Sequence, residues 1–152
     1  MTGSEPSKLA IPVEKYRQIA EFRYQIRQFL HFSEEAARAH GLEPQQHQLL
    51  LAIKGLPKGT RPTVTAVSSR LCLRHHSTVE LANRLVARGA IVRRQSEDDA
   101  REVLLELTPH GEQILRELHV LHWQELQASG PDLADSLKRI VENAPRDLGN
   151  GA

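Results

Sequence analysis

This chain of 152 residues is poor in aromatics, at 4%, and carries one cysteine, one methionine and one tryptophan. A lone cysteine, Cys72, excludes an internal disulfide and any thiolate zinc cluster within one chain, and it agrees with a reducing compartment. No stretch approaches the roughly 20 apolar residues that a membrane span needs, so no membrane partner is expected. Residues 1–12 combine neither a basic start nor a long apolar run. They read as a loose polar arm rather than a secretory signal, so a cytoplasmic location is expected. Also missing are a glycine-rich phosphate loop, a nucleophile motif and a pair of carboxylates flanked by apolar sequence, so neither an enzyme nor a cofactor is expected. Eight histidines are present, but His119 and His122, spaced to share a helix face, have no acidic or cysteine partner at suggestive spacing. They read as structural or solvent-facing side chains, with no metal.

A net charge of +1 announces no nucleic-acid partner globally, but its distribution is uneven. Residues 61–101 hold eight arginines (61, 70, 74, 84, 88, 93, 94 and 101) against four acids (Glu80, Glu97, Asp98 and Asp99). That gives 8 − 4 = +4 there and +1 − 4 = −3 elsewhere. The positive charge sits in the middle of the chain.

The length suits one domain with a real core, expected over residues 13–144, with a frayed tail over 145–152. Apolar residues at Tyr16, Ile19, Ile26 and Leu30, widened by Phe22, Phe29 and Phe32, fit a long first helix ended by Gly41. Pro44 suits the first position of a second helix through Leu49, Leu50 and Ile53, which Gly55 and Pro57 break. The loop at 58–62 has room for a short strand. Thr63 then caps a third helix with Val64, Val67 and Leu71 on one face, and a short link at 72–74 leads to a fourth marked by Val79, Ala82, Leu85 and Val86. Two short helices joined by a tight turn are a helix-turn-helix candidate. After Gly89, residues 91–95 and 102–107 alternate like strands around the acidic, turn-prone 96–99, forming a hairpin or wing. Thr108 and Pro109 open a fifth helix, Gly130 and Pro131 interrupt it, and a last helix runs from about 132 to 143 with Leu133, Leu137, Ile140 and Val141 on one face.

That order, with Leu81-Ala82-Asn83-Arg84-Leu85, Gly89, Arg93-Arg94, Asp98-Asp99-Ala100-Arg101 and Leu107-Thr108-Pro109-His110-Gly111, resembles the multiple antibiotic resistance regulator (MarR) family over nearly the whole chain. The specificity lies in the combination. Two positions depart from the pattern: Asn83 stands where the family usually has Asp, and Glu80 where it often has Arg. The resemblance implies a mainly α fold with a small β-hairpin, a winged helix-turn-helix with N- and C-terminal dimerisation helices. Residues 44–108 would be the DNA-binding lobe, and 13–40 and 109–144 the dimerisation helices. Its expected function is a sequence-specific transcriptional regulator, a repressor on a pseudo-palindromic operator, with double-stranded DNA and a second copy as partners. The alternative is a winged helix used for protein assembly without DNA, since the fold alone does not imply DNA binding.

A reading helix needs polar side chains in its first turns and an apolar opposite face. His75, His76, Ser77 and Thr78 meet the first demand, although His75 and Ser77 also suit plain capping. Arg74 and Arg84 are placed to reach phosphates or a guanine edge, and Thr63, Thr65, Ser68 and Ser69 to donate to the backbone. Glu80, repelled by phosphate, is expected to pair with Arg84 across one turn. Arg101 matches the family's wing arginine, which enters a minor groove where the negative potential is deepest; Asp99 is expected to orient its guanidinium, and Arg93 and Arg94 add charge. The competing reading is a solvated turn with a surface ion pair.

All three phenylalanines and both tyrosines lie in the first helix, and Trp123 in the fifth, a clustering that suits burial against a second copy. The family binds small aromatic or phenolic effectors between dimer helices and winged lobe. The resemblance would place such a pocket near Phe22, Ile26, Phe29 and His47, with plain core packing the favoured reading of those residues. Relatives that sense oxidants use a first-helix cysteine. Cys72 lies in the motif's turn instead and reads as a buried, inert thiol.

Overall fold

A proline that should stop a helix lies inside one. In the computed structural model, which describes residues 10–143, the last helix runs unbroken through Gly130 and Pro131. The element order is α1 (Val13–Ala39), α2 (Pro44–Lys54), α3 (Val64–Leu71), α4 (His75–Ala87), β1 (Ile91–Gln95), β2 (Val103–Leu107) and α5 (Pro109–Glu142). The expected break at 130–131 and the separate last helix are therefore corrected to a single α5 of 34 residues. A proline loses its own N–H bond to the carbonyl four residues back, here Gln127, and its ring crowds that carbonyl. The clash that keeps the preceding residue out of a helix involves that residue's Cβ, which Gly130 lacks. The expected arm at 1–12 and tail at 145–152 fall largely or wholly outside the described residues.

Other boundaries follow local chemistry. Gly41, at φ 74°, lies just past the end of α1, and Pro44 opens α2 behind a capping box made by Glu43 and Gln46. Thr63 Oγ1 accepts from the Ala66 amide at 3.1 Å to cap α3. Gly89, at φ 70°, follows the end of α4. β1 and β2 pair antiparallel from Ile91↔Leu107 to Gln95↔Val103. The loop at 58–62 supplies a strand stub: Thr63 bridges Leu104, and the Leu105 amide donates to the Pro62 carbonyl at 2.8 Å.

The chain divides into two compact bodies, with boundaries at 31/32 and at 124/125. The body Phe32–Gln124 holds the buried apolar core. Ala36 and Ala37 of α1, Leu49 and Leu50 of α2, Val67 of α3, Leu81, Ala82 and Leu85 of α4, Ile91 and Leu105 of the hairpin, and Leu115 and Leu118 of α5 are all buried. Leu51 points out of this otherwise deep α2. The Leu-Thr-Pro-His-Gly segment closes the body by close approach. Thr108 donates through its amide to the Ala90 carbonyl (3.0 Å) and through its hydroxyl to that of Gly89 (2.5 Å), and Oγ1 accepts from the Gly111 amide (3.1 Å). A Cβ at Gly111 would lie 2.0 Å from the Ala90 carbonyl oxygen, so only glycine fits.

The second body comprises residues 10–31 and 125–143. Ser136 is buried there and donates to the Leu133 carbonyl at 2.7 Å, while Lys15 Nζ donates to the Asn143 carbonyl at 2.5 Å. Its apolar residues are largely exposed: Tyr16 at 60%, Val141 at 65%, with Val13, Ile19, Tyr24 and Leu137.

Candidate nucleic-acid interface

The turn between α3 and α4 is built on a left-handed residue. Cys72 adopts φ 53°, ψ 37°, and the Leu73 amide returns to the Ser68 carbonyl at 3.1 Å. The thiol is exposed, which corrects the expectation of burial. The left-handed cap aims it away from the core face of α3. Arg74 is the N-cap of α4 with extended backbone and no side-chain cap bond, so its side chain is not consumed by the helix end.

At the start of α4, His75 and His76 are exposed and Ser77 is half-buried, whereas Thr78 is sealed from solvent and donates to the Arg74 carbonyl at 3.2 Å. On α3, Thr65 and Ser69 are exposed, but Ser68 is buried and donates to the Val64 carbonyl at 2.7 Å. Thr78 and Ser68 therefore leave the candidate surface. Both face inward, where a hydroxyl needs an internal acceptor and takes the carbonyl four residues back. Among the described residues Glu80 and Arg84 form no ion pair, so the expected pairing across one turn of α4 is also corrected; exposed side chains gain little from holding one geometry.

The hairpin's charges are organised by long-range partners. Arg61, from the strand stub, donates one guanidinium nitrogen to Asp98 and another to Glu102. Arg93 donates to the Asn83 side chain on α4, and Arg94 pairs with Glu106 across the strands at 2.7 Å. The expected role of Asp99 is corrected: its carboxylate accepts from the backbone amide of Arg101 at 2.9 Å, an Asx-type turn, and it makes no ion pair with the guanidinium. Buried Ser96 accepts from the Asp98 amide at 3.3 Å and donates its own amide to the Glu102 carbonyl at 2.9 Å, so the tip is tied to itself.

These parts frame a cleft of about 620 Å³ lined by Arg61, Thr63, Thr65, His75, Asp99 and Arg101, with Val64, Glu102 and Val103. It gathers five of the residues singled out by sequence (63, 65, 75, 99 and 101) between the start of α3, the first residue of α4 and the wing. Arg74, Arg84 and Arg101 are exposed, with no carboxylate partner among the described residues. Arg61, Asp98 and Glu102 were missed as a unit because they lie 37 and 41 residues apart in sequence. The only sequence signal was an arginine flanked by prolines and glycine, a loop position with no periodicity to interpret.

The residues considered for an effector fall in different bodies. Phe22, Ile26 and Phe29 lie in one, each half-buried, and His47 in the other. His47 is 3% exposed, and its Nδ1 has no hydrogen-bond partner among the described residues. Burial, reinforced by His122 and then His40, lowers its pKa to about 4, so the ring is neutral at pH 7. The His47 ring tilts against that of His122 at 4.8 Å, which meets Phe32 edge-on at 5.6 Å. His122 Nδ1 lies 2.6 Å from the Leu118 carbonyl, which can only accept, so Nδ1 donates, and Nε2 lies 2.7 Å from Ser33 Oγ. His119, in contrast, is exposed beside Trp123.

The sequence profile of the MarR family matches residues 40–102, which span the helix-turn-helix and most of the wing. No curated protein matches the chain by sequence. Among solved structures it is similar to AbsC, a MarR family transcriptional regulator from Streptomyces coelicolor (18% identity, 91% of this chain and 95% of that one, TM-score 0.69). It is also similar to a cysteine-to-serine mutant of MarR from E. coli complexed with operator DNA (21%, 88% and 95%, 0.64). A third similar structure is CouR from Rhodococcus jostii RHA1 bound to p-coumaroyl-CoA (19%, 80% and 76%, 0.52). No described helix is long and apolar enough to cross a membrane. Residues 40–102 thus carry the sequence likeness to the MarR family, and the fold of the chain is the winged-helix fold of these solved structures.

Proposed function

We propose that this protein is a dimeric, sequence-specific DNA-binding regulator that acts in the cytoplasm as a repressor on a pseudo-palindromic operator. The observation that carries the proposal is the cleft lined by both the exposed wing residue Arg101 and His75 at the start of α4. A helix start with polar side chains suits a major groove, and a wing arginine suits the adjacent minor groove. Arg74 and Arg84 supply backbone contacts from the same helix, with Thr63, Thr65 and Ser69 donating from α3. The operator complex of the E. coli relative supports this use of the fold. In a dimer the two reading helices meet half-sites about 34 to 36 Å apart or a multiple of that, and an effector acts by changing their spacing. The aromatic acyl ligand on CouR supports an aromatic effector class.

A winged helix used for protein assembly is the rival reading, and the unpaired Arg74, Arg84 and Arg101 count against it. A gel-shift titration against the DNA upstream of the protein's own gene, at two salt concentrations, decides between them. Affinity should fall steeply as counterion release is suppressed, and absence of a shift at low salt overturns the proposal.

A further inference from the structure

The wing presents an electrostatic problem that the arginine count conceals. Its turn carries Glu97, Asp98 and Asp99, with Glu102 just beyond, four carboxylates around Arg101 that a phosphate backbone would repel. Asp99 spends one oxygen on a backbone amide, and Asp98 and Glu102 converge on Arg61. The planar guanidinium offers a nitrogen to each, a fork that a lysine ammonium cannot reproduce. Arg61 is also anchored from behind, since the neighbouring Pro62 carbonyl accepts from Leu105 in β2 and Thr63 bridges Leu104. The fork thus joins the strand stub to both sides of the wing turn, and Arg101 is one of the three residues between its two partners' positions.

We infer that Arg61 is a positioning residue of the DNA interface, which acts through Arg101 by neutralising Asp98 and Glu102 and fixing the wing turn against the strand stub. The inference rests on the DNA-binding reading. Arg61 does not itself contact DNA in this account: its nitrogens are engaged by carboxylates, whereas the Arg101 guanidinium is exposed. Three consequences separate this role from a plain phosphate contact. Loss of Arg61 weakens binding only while Arg101 is present. Removing the two carboxylate charges restores much of the loss. Lysine at 61 substitutes poorly.

The test is a thermodynamic cycle on operator fragments retained by the wild-type protein, with melting temperature checking that each variant is folded. Arg61→Ala and Arg101→Ala should each weaken binding about tenfold, and the double variant about tenfold rather than a hundredfold. Adding Asp98→Asn and Glu102→Gln to Arg61→Ala should recover at least half of the logarithmic loss, and Arg61→Lys should fall nearer to Arg61→Ala than to wild type. A hundredfold loss in the double variant, or wild-type affinity for Arg61→Ala, overturns the inference and leaves the DNA-binding reading standing. Failure of the wild-type protein to bind in a salt-dependent way removes both.

Discussion

Residues 32–124 seal Leu49, Leu50, Val67, Leu85 and Leu118 from solvent, whereas the body holding both ends of the described chain leaves Val13, Tyr16, Ile19, Leu137 and Val141 exposed. The first body buries a contiguous core in which positions from five helices and the hairpin meet one another, although Leu51, Val92, Val103, Val120 and Trp123 stay exposed. The second places its apolar side chains outward at helical spacing, an arrangement that gains its main stabilisation only when something apolar covers it. In the proposed dimer that cover would be a second copy. The contrast teaches that the two bodies bury apolar surface to different degrees, and it is in the terminal segments that the proposed association would have most to cover.

The largest expected effect breaks this contrast directly. Leu85→Ala should cost about 3 to 4 kcal/mol in urea unfolding, as expected for a fully buried leucine, while Ile19→Ala should change unfolding of the dilute protein by less than about 0.5 kcal/mol. Equal costs would mean that the two bodies are not different in kind. Acid should next weaken the winged body selectively. Because the folded-state pKa of His47 is lowered to about 4 from 6.5, the unfolded chain binds more protons in between. Stability is therefore full above pH 6.5 and is lost as the pH falls toward 4, by at most about 3 kcal/mol. Denaturation curves at pH 7, 5 and 4 should show a shallower loss in His47→Leu, and the same slope in both proteins would remove His47 as the cause. The association side gives the third effect: Tyr16→Ser with Val141→Ser should raise the dimer dissociation constant roughly tenfold, about 1.4 kcal/mol, in sedimentation at a series of concentrations. No change would move the interface off this face. The smallest effect is electrostatic. Arg74→Ala should weaken operator binding a few-fold and reduce the salt slope by about one, and an unaltered slope would take Arg74 off the phosphates.

Local chemistry was legible in the sequence, and long-range pairing was not. Gly41, Pro44, Thr63 and Gly89 mark helix ends through backbone freedom, fixed φ or capping, so α2, α3, α4 and the hairpin fall within about a residue of expectation. The same local logic misled at Pro131, where the signal for a break was present but the preceding glycine relieved part of its steric basis. Residue type predicts which side chains are polar but not which are turned inward. That is why Thr78 and Ser68 were grouped with His75 and Thr65. The Arg61 fork and the contact between Ser33 and His122, 89 residues apart, join segments with no shared periodicity, and only the folded body brings them together. Asp99 was singled out correctly as a turn residue, but its partner is an amide, because a short carboxylate two residues ahead of an N–H meets that group before it reaches a flexible guanidinium.

The junction at Thr108 and Gly111 has a mechanical consequence. The end of α4, the start of β1 and the first turn of α5 meet there through three hydrogen bonds and one backbone contact with no space for a methyl group. Such a joint has no slack. A tilt imposed on the first turn of α5 is delivered to the wing and to the end of α4 as a rigid rotation, so the lever arm runs from this fulcrum to the wing tip, and a small angle at the fulcrum becomes a displacement there.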